Sequence, residues 1–194
     1  MTRWLATLMK WGHTLDPHAL DQFLAEAGPR ALIIARVAMR DRDEAMDVVQ
    51  DAMTKLVTNY ADREPAAWAP LFHTILQSRI RDWMRREKVR ARVRGWLGGV
   101  REDEADQPDP IQEAPDPHGL TPDQELVRRE QAEALKGALA ELPYRQQQVF
   151  MLRAWEGLST ADAARAVGCS EGSVKTHYFR AVRALRERLG DQWP

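Results

Sequence analysis

The stretch from Arg101 to Leu120 constrains the fold of this 194-residue chain more than any other feature. It places Pro108, Pro110, Pro115 and Pro117 among Glu102, Asp103, Glu104, Asp106, Asp109, Glu113 and Asp116. Proline removes a backbone donor and neighbouring carboxylates repel each other, so such a segment does not pack a core. Two folded lobes on either side of an acidic linker are therefore expected. The boundaries fall at 1–98, 99–121 and 122–194, which leaves each lobe the size of a small domain.

Within both lobes apolar residues recur every three or four positions, and no segment sustains the two-residue alternation of a strand. The fold class is all-α, two small helical domains joined by a flexible acidic linker. In the first lobe Asp16-Pro17 starts a helix, and Gly28-Pro29 is expected to break it and start another through Met39. Asp43 is the expected cap of the next, whose stripe is Val48, Val49, Ala52, Met53, Leu56 and Val57. A turn at Asp62-Arg63-Glu64-Pro65 then leads into a long helix. Leu71, Phe72, Ile75, Leu76, Ile80, Trp83 and Met84 line one side of it, and Gly95, Gly98 and Gly99 are expected to end it. In the second lobe Thr121-Pro122-Asp123-Gln124 reads as a capping box, and Leu142-Pro143 restarts a helix that Gly157 closes.

Composition narrows the function. The chain is 44% hydrophobic, enough for real cores, and its one cysteine excludes both an internal disulfide and a cysteine-only zinc cage. Cys169 reads as a small core residue. The five histidines form no ligand cluster, so no metal or cofactor is expected, and no catalytic constellation stands out. No apolar run reaches the ~20 residues of a membrane span. The run Trp4 to Met9 is cut short by Lys10, too soon for a signal-peptide core. The Trp4, Leu5, Leu8 and Trp11 stripe reads as a packing element. A cytoplasmic protein is the expectation.

The net charge of -1 hides a segregation: residues 1–100 carry +4, 101–130 carry -7 and 131–194 carry +2. Arg79, Arg81, Arg85, Arg86, Lys88, Arg90, Arg92 and Arg94 crowd into 16 residues with only Asp82 and Glu87 against them. Such a local basic surface suits a nucleic-acid binder whatever the total charge, and taken alone it also suits a solvated helix face.

Ser159 to Ala161 begins a short helix that Gly168 ends, and Ser170 caps a longer one reaching about Leu189. Two helices about a glycine turn make a helix-turn-helix. Small Ala164 lets the helices approach, Val174 and Cys169 fill their angle, and Ala181, Val182, Leu185 and Leu189 continue the buried side. The other side of the second helix offers Ser173, Lys175, Thr176, His177, Arg180 and Arg183. Early residues of a recognition helix meet base edges in the major groove, and later basic ones meet phosphate. Taken alone, this lobe also suits a regulator that binds DNA as a dimer without other machinery.

Several motifs together resemble one family. Gly157-Leu158-Ser159, Ala164, Gly168-Cys169-Ser170, Gly172 to Thr176 and Arg180-Ala181 are similar to the minus-35-reading region of extracytoplasmic-function sigma factors. Leu142-Pro143 with Gln147, Val149 and Phe150 resembles the start of that region. Asp47 to Asp51 resembles the family's polymerase-binding segment, while Ile75, Asp82-Trp83 and Arg85-Arg86 resemble its promoter-melting helix. The likeness covers about residues 20–94 and 125–189 in collinear order. Met53, Val57, Leu71, Ala163, His177 and Tyr178 depart from the usual pattern.

The resemblance implies a dissociable RNA polymerase subunit and no enzyme activity of its own. Its partners would be core RNA polymerase, through the clamp and flap regions, promoter DNA, and in some settings an anti-sigma factor, with no membrane. Asp47, Gln50 and Asp51 would grip the polymerase. Tyr60, Arg63, Trp68, Arg79, Arg81, Arg85 and Arg86 would hold the minus-10 element, with Trp83 a further aromatic platform. Ser173, Lys175, Thr176, Phe179, Arg180 and Arg183 would face the minus-35 element. No motif specifies a contact between the lobes.

Overall fold

A computed structural model describes residues 17–39, 41–96 and 122–193. Among the described residues seven α-helices run in the order α1 (Pro17–Met39), α2 (Arg42–Tyr60), α3 (Pro65–Trp96), α4 (Pro122–Ala140), α5 (Tyr144–Phe150), α6 (Thr160–Val167) and α7 (Glu171–Leu189). No strand occurs among the described residues. The expected linker, the Trp4 stripe, Asp16, Thr121, Gly98 and Gly99 lie outside those residues.

Three expectations about helix ends need correction. Gly28-Pro29 does not divide α1, which passes through Pro29 unbroken. Leu20, Ala27, Ala31, Ile34 and Ala35 stay in one buried register across the proline. That shared burial outweighs the ~3 kcal/mol cost of an interior proline. Gly28 serves packing instead, because a Cβ there would lie 2.5 Å from Met53 Cε on α2. Helix α2 is capped by Asp41, not Asp43: its carboxylate accepts the Glu44 N–H at 2.9 Å. Asp43 and Glu44 then occupy the first turn, where the helix dipole favours acids. Gly95 lies inside α3, which continues to Trp96.

Phe72, Leu76, Ile80 and Leu56 are fully buried where α2 and α3 pack on α1, and Phe23 meets Phe72 edge-on at 6.0 Å. In the second lobe a separate cluster of Val149, Leu152, Leu158, Ala163, Ala166, Val167 and Val174 holds the helix-turn-helix. The remaining apolar residues of α4, α5 and α7 do not stay apart. Ala138, Leu139, Leu142, Ala181, Leu185 and Leu189 belong to one core with α1 and α3. The lobes are thus packed against each other, and α6 lies along α3.

Between α5 and α6 the chain makes a five-residue π-helical segment, Met151–Trp155. Its wider turn is closed by Glu156 N–H donating to Met151 O at 3.0 Å, and Gly157 follows at φ +67. A π turn inserts one residue into the helical register and so re-aims the side chains that follow. Here those are Trp155 and Glu156, which face α1 and α3.

Candidate nucleic-acid interface

The helix-turn-helix is built by local hydrogen bonds. Ser159 caps α6 by accepting the Asp162 N–H at 3.0 Å, and Ser170 caps α7 by accepting the Ser173 N–H at 3.2 Å. Gly168 between them takes a left-handed conformation, φ 72 and ψ 51, that lacks the steric penalty of a Cβ. Its N–H and that of Cys169 both donate to Ala164 O, at 2.9 and 3.1 Å. Val174 is buried at the angle and Ala181, Leu185 and Leu189 continue inward.

The opposite side of α7 is open. Lys175, Thr176, Phe179, Arg180 and Arg183 are exposed, and Ser173 is half-buried with its hydroxyl 2.9 Å from that of Ser170. Phe179 is 69% exposed, an apolar ring held in water beside cationic donors. Such a ring suits the thymine methyl group, as the donors suit guanine O6 and N7. Arg183 is bridged to Glu187 at 2.8 Å, and that carboxylate holds its guanidinium more firmly charged. His177 is half-buried, with Nδ1 enclosed.

The basic helix α3 is less open. Arg79 Nε lies 2.7 Å from Asp51 Oδ2, so a residue expected at DNA and one expected at polymerase neutralise each other. Arg85 pairs with Asp82 at 3.7 Å, and Arg86 donates to Asp82 O at 3.3 Å. Both remain largely exposed, as does Arg63, while Tyr60 is half-buried. On α2, Asp47, Gln50 and Asp51 share one exposed side. One aromatic expectation fails in this arrangement. Trp68 is 4% exposed and packs on Phe23, so no base can stack on it. Trp83 is half-buried, its indole N–H donating to Glu44 Oε2 at 2.9 Å.

A polar seam joins the lobes, formed by contacts that no sequence motif singles out. Arg81 Nη1 donates to Val167 O at 2.7 Å, and Arg145 Nη1 donates to the same oxygen at 2.6 Å. Glu156 is bridged by Arg30 at 3.3 Å and by buried His73 at 3.1 Å. Arg30 also lies over the Trp155 ring, 5.5 Å from its centre, and donates to Trp155 O. Buried Gln148 donates to Gln77 Oε1, and Gln147 donates to Val37 O at 3.2 Å. Tyr144 lies at the same seam, and burial pushes its phenol up to about 12 against the lowering charges of Arg81 and Arg145. The only trace of the seam in the sequence is that His73 and Gln77, four apart, interrupt the apolar side of α3. No group of metal-ligating side chains occurs among the described residues.

Comparison with known proteins bears on both lobes. The family model for sigma-70 region 4 matches residues 132–185, the segment from α4 into α7. The RNA polymerase sigma-E factor of Streptomyces avermitilis is 30% identical over 156 residues, covering 80% of this chain and 76% of that protein. The ECF RNA polymerase sigma factor SigM of Mycobacterium tuberculosis is 28% identical over 176 residues, covering 90% and 79%. Among solved structures, the sigma factor RpoE of Bartonella quintana, in complex with the anti-sigma factor NepR, aligns at a TM-score of 0.63 and 27% identity. That alignment covers 87% of this chain and 95% of the other. The resemblance thus extends across both lobes.

Proposed function

Because this chain belongs to the extracytoplasmic-function RNA polymerase sigma factors, we propose that it carries promoter specificity to core polymerase and leaves the chemistry to that enzyme. Residues 1–98 act as the core-binding and minus-10 unit, 99–121 as the linker, and 122–194 as the minus-35 unit. Asp47, Gln50 and Asp51 supply an acidic helix face for the polymerase clamp. Arg63, Arg79, Arg81, Arg85 and Arg86 meet the backbone of the minus-10 DNA, with Tyr60 at its edge.

Melting requires unstacking, at a few kcal/mol per flipped base. Phosphate contacts and stacking offset that cost, stacking at ~1–3 kcal/mol per base. Ser173, Lys175, Thr176, Phe179, Arg180 and Arg183 read and grip the minus-35 element. An anti-sigma factor is a further partner in this proposal, since RpoE of Bartonella quintana is bound by one. The site of action is the cytoplasm, where the transcription machinery resides; among the described residues no helix is long and apolar enough to cross a membrane.

The observation that carries this reading is the exposed, donor-rich side of α7, held rigid by two serine caps and a left-handed glycine. Run-off transcription with core polymerase on a genomic fragment library tests it. New start sites sharing paired upstream elements are expected. Tight operator binding by the chain alone, with no association with core polymerase, would instead support an autonomous regulator.

A further inference from the structure

Arg79 opens the basic cluster of α3, but its side chain is only 31% exposed, against 80% for Arg85 farther along the helix. Its Nε is enclosed and lies 2.7 Å from Asp51 Oδ2 on α2. Both residues sit at the rim of the packing between α2 and α3, since their next neighbours in sequence, Ala52 and Ile80, are fully buried in the shared core. Ala45 and Ala52, two turns apart and equally buried, let the two helices come close.

The pair is one rung of a ladder. Glu44 lies two turns before Asp51, on the same side of α2. It accepts the Trp83 indole N–H at 2.9 Å and lies 3.4 Å from Arg90. Trp83 follows Arg79 by one turn, so the rungs run in the order expected of antiparallel helices. The backbone that carries Asp51 is thus held in register with α3, and the ion pair restricts the rotation of its carboxylate.

We propose that Arg79 is a positioning residue for core polymerase, which through Asp51 holds a carboxylate in the pose that a cation of the polymerase clamp meets. The inference rests on the reading that Asp47, Gln50 and Asp51 form the polymerase-binding face. Asp51 is 53% exposed, so a partner can reach it. A carboxylate has acceptor sites on both oxygens, and Oδ1 stays open to that partner while Oδ2 faces Arg79. A side chain already fixed loses less rotamer freedom on binding than a loose one. Asp51 engages the guanidinium at Nε, which leaves the other donors of the planar fork for phosphate. One arginine then stands between the polymerase face and the DNA face of the same lobe.

A double-mutant cycle on the full-length chain tests this, with each variant competing against a fluorescently labelled natural chain for core polymerase. Arg79→Gln should weaken core binding about two- to fivefold, the range for an ion pair that solvent partly screens. Arg79→Lys, which keeps the charge, should lose less. Asp51→Ala should weaken binding more than either, and Arg79→Gln added to Asp51→Ala should cost nothing further. A residue that only stabilised the fold would cost the same in both backgrounds.

An unchanged core affinity for Arg79→Gln, with a promoter salt slope lowered by about 1, makes Arg79 a phosphate contact only and overturns the positioning role. Losses that simply add in the double variant, or equal losses for Arg79→Lys and Arg79→Gln, overturn it too. In each of these cases the sigma-factor reading stands. An unchanged core affinity for Asp51→Ala overturns the assignment of Asp51 to the polymerase, and this inference with it.

Discussion

Arg81 on α3 and Val167 at the end of α6 are joined by a 2.7 Å hydrogen bond across 86 residues of sequence. The bond ties the basic helix of one lobe to the turn of the helix-turn-helix in the other. Arg145 supports the same carbonyl from within the second lobe at 2.6 Å. Two cations on a single helix C-terminus neutralise the dipole there and hold the turn in place. If the lobes part, Arg145 remains as the support.

Gly168→Ala should destabilise the folded chain by about 1–2 kcal/mol, because an L-residue is strained at φ 72. Part of the cost should come from displacing Arg81. A urea-denaturation cycle with Arg81→Ala separates the two, since backbone strain persists when the arginine is gone. Gly157→Ala, at φ +67 in open space, should show the strain alone.

Ser159→Ala and Ser170→Ala should each cost about 1 kcal/mol by removing a helix cap. The consequences should differ. Loss of the Ser170 cap frays the start of α7, where Ser173, Lys175 and Thr176 lie, so duplex binding should weaken beyond what the stability loss accounts for. Hydrogen exchange of the first turn of α7 provides the local measurement.

Stability should fall as pH rises from 10 to about 12 through Tyr144. Its ordinary value is 10.0 and burial raises it to about 12. In that window the unfolded chain has released the phenolic proton while the folded chain retains it. The unfolded state then binds fewer protons, so stability is lost with rising pH. The difference between the natural chain and Tyr144→Phe should change across the window on the order of 2 kcal/mol, read from urea midpoints.

Arg180→Ala should cost roughly 1–3 kcal/mol in promoter binding and relax preference at one minus-35 position. Arg183→Ala should weaken binding about equally for all sequences and lower the salt slope by about 1. Holoenzyme binding to a panel of minus-35 variants at several salt concentrations checks both. Equal losses across the panel for Arg180→Ala would remove it from base readout.

Much of the helix-turn-helix is legible in the linear chain. Ser159, Gly168, Ser170 and the Val174 to Leu189 side all act over four residues or fewer, through caps, a left-handed turn and helical spacing. The sequence favours Asp43 as the cap of α2, and only the folded backbone, with the Glu44 N–H on the Asp41 carboxylate, places the cap two residues earlier. Pro29 misleads for a different reason: its local cost is real, and only the burial of Ala27, Ala31 and Ile34 against α2 and α3 overrides it. Trp68 is likewise ambiguous, since an aromatic residue at the start of a helix suits a stacking platform and a core equally well until Phe23 is placed beside it.

The order of residues by itself determined most of the helices, the caps and glycine turn of the helix-turn-helix and the donor-rich recognition side, because each arises from interactions between near neighbours along the backbone. Only the tertiary structure decided that the lobes meet, that Arg79 turns to Asp51, and that Arg81, His73 and Gln77 are occupied by the second lobe. A charged or amide side chain has many acceptable partners, and nothing in its own neighbourhood chooses among them. That choice is made when apolar burial brings distant helices together and leaves each polar group only the partners within reach.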